Sequence, residues 1–255
     1  MSKKIKPNFF IIGATKAATT SLSSLLEQHP EAAMVRNKEP HFFSYDHYKL
    51  GWKGYLKLYS HCSDQKAIGD ASTSYSRIRS HPGVVERIKE HVPKARIIYM
   101  VRHPLKRIES DFMELACYPY REPFLSINEA IKQMPMILDS SRYWEVFDAY
   151  RQKFDESKIK IVWFEEYIAN TTAAFQDVCH FLEIDDTVLP DLERERTNSR
   201  ENAIKRMAAV GRSNTQVNTT WAEETRRWVI DQLRDDNCRL LDHFGKPRNF
   251  WGDLF

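Results

Sequence analysis

The sequence has few cysteines and no pattern among them. Its four cysteines form no CxxC pair and have no histidines at zinc-site spacing. This scatter argues against a zinc ribbon or a disulfide framework as the basis of the fold. We expect free thiols in a reducing compartment.

Long apolar runs are also lacking. No stretch approaches the ~18 or more apolar residues needed to span a bilayer. Near the N-terminus, three lysines precede the apolar run Phe9–Ile12, but this run is too short for the core of a secretory signal and leads directly into Gly13. We therefore expect a cytoplasmic protein without a membrane span.

The sequence also lacks a strong excess of charge of either sign. Lysine and arginine total 38 against 35 acidic residues, which gives a formal net charge of +3. That balance suits a small anionic ligand better than duplex DNA, so no nucleic-acid partner is predicted. With 42% apolar residues, the 255-residue chain can bury a substantial core, and we predict one domain over residues 1–255.

Short apolar segments alternate with amphipathic ones along the chain. This order predicts an α/β fold with a central parallel sheet flanked by helices. The stretch 192–218 is polar and poor in large apolar residues, which predicts a mobile loop or lid. Strands are predicted over 8–13, 67–70, 96–101 and 158–164, and helices over 20–28, 82–91, 105–116, 141–154, 171–182 and 220–244.

The most informative stretch comprises a buried strand, a turn of small residues and a helix that begins with hydroxyls. Such a turn directs backbone N–H groups and the positive end of a helix dipole at one point, which makes an anion site. An ordinary turn capped by a threonine is the alternative. The candidate ligands are Lys16, Ala17, Ala18, Thr19, Thr20 and Ser21.

This turn departs from the GxxxxGK[ST] loop of nucleoside triphosphatases. Counting from Gly13, Ala18 stands at the second glycine and Thr19 at the lysine, and the loop's only lysine is Lys16. That arrangement suits a ligand with fewer phosphates and no metal. Lys16 would neutralise the oxygen of a leaving group while the following hydroxyls donate to other oxygens.

At these residues the sequence resembles the sulfotransferases that use 3′-phosphoadenosine 5′-phosphosulfate (PAPS), particularly the branch that includes the heparan sulfate sulfotransferases. The run from Lys16 to Ser21 resembles that family's 5′-phosphosulfate loop. The family often has glycine where this chain has Ala17 and Ala18, and alanine restricts positive φ. The resemblance implies a P-loop-like sulfotransferase fold with PAPS as sulfuryl donor and no metal.

A second anchor is predicted at Arg102, directly after the strand over 96–101. Arginine at the carboxyl end of a strand lies where open α/β sheets bind ligands, and a guanidinium can hold a phosphate through two oxygens. Pro104 can begin a helix, in which Ser110 follows. The spacing resembles the family's 3′-phosphate element, which implies this role for Arg102 and Ser110. A surface arginine at a common strand–helix junction is the alternative.

Two candidate bases lie between these anchors, in the run from Lys38 to Phe43. Sulfuryl transfer to a hydroxyl needs a base, and the carboxylate of Glu39 or the imidazole of His41 can serve. The run, with an aromatic strand-like end, resembles the Lys-Glu-x-His-Phe-Phe segment of the heparan sulfate branch, which implies that Glu39 is the base. A salt bridge for Glu39 and aromatic packing for His41 are the alternatives.

Two later positions complete the resemblance. After the strand over 67–70 the heparan sulfate enzymes have a lysine, but this chain has Ala71, which argues against a heparan-type acceptor. Arg212 and Ser213 stand where relatives place a basic loop over the nucleotide, which implies contacts with the 3′-phosphate. A solvated charged loop is the alternative there.

These features predict an enzyme that transfers a sulfuryl group from PAPS to a hydroxyl or amine of a small-molecule or carbohydrate acceptor. A nucleotide or small-molecule kinase is one alternative, but it would carry a lysine at position 19, where this chain has threonine. A noncatalytic protein that binds PAPS or its desulfated product PAP is another, for which the base would be dispensable.

Overall fold

The computed structural model describes residues 5–36, 38–115, 126–192, 217–252 and 254–255. The chain divides into two compact units, one of residues 1–102 and 146–195 and the other of residues 103–145 and 196–255. The prediction of one domain stays a prediction. Most of the predicted lid, 192–218, lies outside the described residues.

The first unit is built on a five-stranded parallel sheet with the order β2-β3-β1-β4-β5. All residues of β1 and β3 are buried, as expected for strands covered on both faces. The strand order reverses between β1 and β4, and ligands bind at such a switch point. The strands are β1 Phe9–Gly13, β2 Ala32–Met34, β3 Ala67–Asp70, β4 Arg96–Val101 and β5 Ile159–Trp163.

Helices and short 3₁₀ turns connect these strands. Helix α1 buries Leu22, Leu25 and Leu26, and α9 begins at an Asn170 cap, whose side chain accepts from the Ala173 N–H. The helices of this unit are α1 Thr19–Glu27, α2 Gly51–Leu56, α3 Val84–His91, α8 Phe164–Ala169 and α9 Thr171–Leu182, and the 3₁₀ turns are Asp46–Leu50, Lys57–Tyr59, Thr73–Ser76 and Glu156–Lys158.

An aromatic cluster packs against the sheet. The rings of Phe42 and Tyr55 stack with centroids 4.3 Å apart, and Phe43 contacts Phe10 of β1 edge-on at 5.7 Å. The strand-like interpretation of the segment that ends at Phe43 is wrong, because residues 42–44 form a turn. That turn buries both phenylalanine rings in the core.

The second unit is helical and buries a cluster of polar side chains within an otherwise apolar core. The fully buried Arg107 donates from Nε to the Ser141 hydroxyl at 2.6 Å and from Nη1 to Asp111 at 2.9 Å. These bonds satisfy a cation that would otherwise be costly to bury. Its helices are α4 Pro104–Leu115, α5 Ile127–Gln133, α6 Pro135–Asp139, and α10 Glu223–His243, with a 3₁₀ turn at Arg248–Trp251; α7 Tyr143–Arg151 contributes residues to both units.

The predicted α/β fold class is confirmed. All four predicted strands and all six predicted helices are present, with ends displaced by at most about three residues. Strand β2 and the short helices were not predicted. Of the described helices, none combines the length and apolar character that crossing a membrane would require.

Candidate functional site

The predicted anion loop joins β1 to α1 at the switch point of the sheet. The Ala14 N–H donates to the Met100 carbonyl of β4 at 2.7 Å, which ties the loop to the neighbouring strand. Lys16 and Ala18 adopt left-handed backbone conformations, with φ of 70° and 67°. The loop therefore turns sharply where the carboxyl ends of β1 and β4 meet.

Helix α1 directs its N-terminus at this loop. Its first backbone hydrogen bond runs from the Leu22 N–H to the Ala18 carbonyl at 3.1 Å, and no side chain caps it. The threonine cap of the alternative interpretation is therefore absent, while the anion-binding role of the turn stays a prediction. The N–H groups of residues 19–21 precede that first bond and point towards the loop, as an anion site requires.

Gly13 brings a second turn against the loop. Its φ is 141°, and a Cβ built at this position would lie 2.3 Å from the Ser76 hydroxyl oxygen and 3.2 Å from the Thr73 carbonyl oxygen. Only glycine fits both the conformation and the space. The 3₁₀ turn after β3 therefore packs directly on the anion loop.

The hydroxyls at the start of α1 have distinct surroundings. Thr19 is buried, the Thr20 hydroxyl accepts from the Lys38 ammonium, and the Ser21 hydroxyl shares a 2.6 Å hydrogen bond with Tyr167. No contact between Lys38 and the anion loop was predicted from the sequence. A contact between residues 18 apart, without helical or strand periodicity, leaves no sequence signal.

Arg102 joins the second anchor to the first. Its Nη1 donates to the Lys16 carbonyl oxygen at 2.9 Å, and its guanidinium lies 4.3 Å from the centre of the Phe164 ring. Arg102 lies half-buried at a strand–helix junction, as the alternative interpretation also expects, and its phosphate-binding role stays a prediction. Ser110 lies half-buried on α4 in the second unit, while Arg212 and Ser213 lie outside the described residues, so their predicted roles stay predictions.

The two candidate bases lie side by side. A Glu39 carboxylate oxygen is 3.2 Å from the Lys38 ammonium, while the other accepts from the Thr73 hydroxyl at 3.0 Å and lies 3.5 Å from His41 Nε2. Because Lys38 also contacts Thr20, one ammonium links the Glu39 carboxylate to the anion loop. Glu39 therefore forms the salt bridge of the alternative interpretation and also lies close to the anion loop.

His41 is held in a strained, partly buried position. Its φ is 53°, its N–H donates to the Ser72 hydroxyl at 3.0 Å, and its Nδ1 is 2.7 Å from the Ser74 hydroxyl. Burial lowers the His41 pKa below its ordinary 6.5, and the neighbouring Glu39 carboxylate opposes that shift. The imidazole is therefore neutral near pH 7 and can accept a proton or a hydrogen bond.

The buried carboxylate of Asp70 is connected to His41 through hydrogen bonds. Asp70 accepts hydrogen bonds from Tyr55 at 2.7 Å, Tyr75 at 2.8 Å and Ser72 at 2.6 Å. Burial raises the Asp70 pKa to about 6, and these three donors oppose that shift. Ser72 in turn accepts from the His41 backbone, so Asp70 positions the site without facing solvent.

A parallel sheet whose strand order reverses beside the loop between β1 and α1 gives this chain a doubly wound α/β architecture, in which ligands bind at the switch point. The family model for the sulfotransferase domain matches residues 6–231, and the chain belongs to that family. The predicted family is confirmed.

Sequence relatives agree with this membership. Over 109 residues the chain is 32% identical to the membrane-associated sulfotransferase kil1 of Dictyostelium discoideum, a match that covers 42% of this chain and 22% of that protein. Over 108 residues it is 31% identical to human heparan sulfate glucosamine 3-O-sulfotransferase 6, covering 42% and 30%. The matches span less than a third of either relative.

Solved structures share the fold over nearly the whole chain. A sulfotransferase from Alicyclobacillus acidocaldarius superposes with a TM-score of 0.74 at 24% identity, covering 95% of this chain and 97% of that one. The mouse sulfotransferase SULT7A1 complexed with PAP gives a TM-score of 0.53 at 12% identity, covering 94% and 88%. At these identities the likeness establishes the fold.

Proposed function

We propose that this sulfotransferase takes its sulfuryl group from PAPS and transfers it to a hydroxyl or amine of a small-molecule or carbohydrate acceptor. One observation carries the proposal: Lys38 contacts both Thr20 at the anion loop and the Glu39 carboxylate. A phosphosulfate on the loop would then have a base candidate beside it. The cytoplasmic location stays a prediction of the sequence.

The donor end of the site suits a phosphate that becomes a leaving group. The N-terminus of α1 and the Lys16 ammonium would neutralise the 5′-phosphate, while Arg102 would hold the loop and the nucleotide. The fold is shared with a mouse sulfotransferase complexed with PAP, the product that remains when PAPS has lost its sulfuryl group. That likeness supports the choice of donor.

The acceptor end needs a group that removes a proton. Glu39 would take the acceptor proton as the acceptor oxygen attacks sulfur, and Lys16 with the loop N–H groups would stabilise the charge that grows on the departing phosphate. Holding the acceptor beside Glu39 and the donor on the loop would supply the orientation that displacement requires, because Lys38 links the two. His41 is the alternative base, because it lies 3.5 Å from the same Glu39 carboxylate.

The proposal is tested by comparing nucleotides and then measuring transfer. Calorimetry should find PAP bound at least about tenfold more tightly than AMP, because charge-assisted hydrogen bonds to the extra phosphate contribute about 1.5–3 kcal/mol. Labelled PAPS should then donate to members of a panel of hydroxyl and amine acceptors in the presence of EDTA. Equal affinity for PAP and AMP would overturn the proposal.

A further inference from the structure

Arg77 directly follows the 3₁₀ turn that packs on the anion loop. Its Nη2 donates to the Thr15 hydroxyl at 3.0 Å, and Thr15 immediately precedes Lys16. The sequence alone does not predict this contact, because the two residues are 62 apart and no local pattern distinguishes Arg77. The folded chain therefore brings a second cation to the loop.

The Arg77 guanidinium is incompletely satisfied. Its Nε is buried and has no hydrogen-bond partner among the described residues, although Nη2 does. Because Nε has no accessible surface, an acceptor on a ligand would have to meet the Nη groups of this half-buried side chain. The acceptor must lie within reach of both the loop and the turn after β3.

The charge of Arg77 also reaches the candidate bases. Burial lowers the His41 pKa, and the positive charge of Arg77 is among the influences that lower it further. Within the turn that precedes Arg77, Thr73 donates to Glu39 at 3.0 Å and Ser76 lies against Gly13. Arg77 thus lies beside a turn that contacts both the donor loop and the base.

We propose that Arg77 binds the sulfuryl oxygens during transfer. Ala71, which stands where the heparan sulfate enzymes have a lysine, is buried and uncharged, so that position contributes no cation here. This inference rests on the proposed function. It assigns Arg77 a place on the transferring group, whereas Lys16 acts on the leaving phosphate.

The step is balanced without any further reactant. The bond between the acceptor oxygen and sulfur forms while the bond between sulfur and the 5′-phosphate oxygen breaks, and its electron pair leaves with the phosphate. The acceptor proton goes to Glu39. Arg77 donates from the Nη groups of its guanidinium to an oxygen of the sulfuryl group, where a cation stabilises the charge of the transferring group.

The test separates the sulfuryl group from the rest of the nucleotide. Affinities for PAP and for PAPS are measured by calorimetry, and transfer from labelled PAPS is followed, for the wild type, Arg77→Met and Arg77→Lys. Arg77→Met should bind PAP within about threefold of the wild type, bind PAPS about tenfold more weakly, and transfer about a hundredfold more slowly. Arg77→Lys should recover part of both losses.

Two matched variants separate charge from loop support. Thr15→Val removes the hydrogen bond to Arg77 but leaves its charge, and should slow transfer by less than about fivefold. Arg79→Met removes a nearby exposed arginine and should behave like the wild type. If Arg77→Met kept its PAPS affinity and its rate, or if Thr15→Val lost as much as Arg77→Met, the inference would be wrong.

The remaining outcomes are also decisive. If Arg77→Met failed to bind PAP, Arg77→Lys would decide: a selective loss of PAPS affinity relative to PAP supports the inference, and equal losses of both contradict it. If the wild-type protein binds PAP and AMP with equal affinity, the proposed function itself is wrong. If Arg77→Met binds PAP and transfers the sulfuryl group as the wild type does, the role of Arg77 is wrong, but the proposed function is unaffected.

Discussion

Arg102 holds the anion loop by donating to the carbonyl oxygen of Lys16, with 2.9 Å between Nη1 and that oxygen. The same guanidinium lies over the ring of Phe164, the residue that follows β5. One side chain therefore connects the carboxyl ends of β1, β4 and β5. An arginine predicted only to bind phosphate also holds the loop that is predicted to bind the other end of the nucleotide.

Replacing Arg102 should therefore affect both binding and turnover. Arg102→Ala removes a phosphate ligand and the bond to Lys16, so we expect PAP affinity to fall at least about tenfold and turnover to fall with it. Calorimetry with PAP and transfer from labelled PAPS measure the two effects.

The matched control is Phe164→Leu, which removes the ring but leaves the hydrogen bond. A cation–π contact contributes about 0.5–2 kcal/mol, so this variant should lose less affinity than Arg102→Ala. Wild-type PAP affinity in Arg102→Ala would show that this residue is not a nucleotide anchor.

Glu39 and His41 can be separated by their response to substitution and to pH. If Glu39 is the base, Glu39→Gln should lower turnover by about 10²–10⁴ while PAP affinity changes little, because the carboxylate lies beside the loop and not on it. The exposed Glu90→Gln is the matched control and should retain full turnover.

The opposite result would favour the imidazole. If Glu39→Gln kept its turnover, His41→Gln should lose it, and wild-type activity should fall as pH drops through the His41 pKa. Burial places that pKa below 6.5, so activity would persist to a lower pH than an exposed histidine allows. A pH–rate profile of the wild type and both variants tells these cases apart.

Local sequence patterns predicted most strands and helices of this protein, whereas several contacts in its candidate site are long-range and were not predicted. The strands β3 and β4 were predicted with their observed ends, since each is an apolar run bounded by turn residues. Strand β2 was missed because three residues at the edge of a sheet carry too little pattern. Short helices such as Phe164–Ala169 were missed for the same reason.

In the candidate site, too, local features were predictable and long-range contacts were not. The anion loop was predictable because its strand, turn and helix are contiguous in sequence. The contact of Arg77 with Thr15 depends on how the turn after β3 packs against Gly13. The contact of Lys38 with Thr20 depends on how the segment after β2 lies against α1, and no spacing in the sequence encodes either contact. The strand-like interpretation of the run that ends at Phe43 failed because aromatic residues also pack well from a buried turn.

The buried carboxylate of Asp70 should make stability depend on pH. Its pKa is raised by burial to about 6 from an ordinary 3.8, so between these values the folded chain binds the proton more tightly than the unfolded chain. The contribution of Asp70 to the free energy of unfolding is therefore largest below about pH 3.8 and is lost as pH rises through about 6. A shift of about two units corresponds to roughly 3 kcal/mol.

Urea unfolding of the wild type and of Asp70→Asn between about pH 4 and pH 7 checks this expectation. Asparagine does not titrate, so the variant should show a shallower fall in unfolding free energy. Part of the fall should remain, because burial also raises the pKa of Asp236 to about 6. Parallel curves for the two proteins would mean that Asp70 is not protonated more readily in the folded state.

Ala18 offers a test of strain in the anion loop. It has φ 67° and ψ 23°, a left-handed conformation that costs an L-residue roughly 1–2 kcal/mol. Glycine removes that cost but loses about 0.5–1 kcal/mol through the greater freedom of the unfolded chain. Ala18→Gly should therefore raise the free energy of unfolding by about 0.5–1 kcal/mol and the melting temperature by about 2 °C.

Ala17→Gly is the matched control one residue away. Ala17 is fully buried and does not have a positive φ, so glycine there relieves no strain, removes a packed methyl group and should destabilise by about 1 kcal/mol. Opposite signs for the two substitutions, measured by thermal and urea unfolding, would locate the strain at Ala18. Equal destabilisation would show that the loop holds Ala18 without strain, and the family's preference for glycine would then need a reason other than backbone conformation.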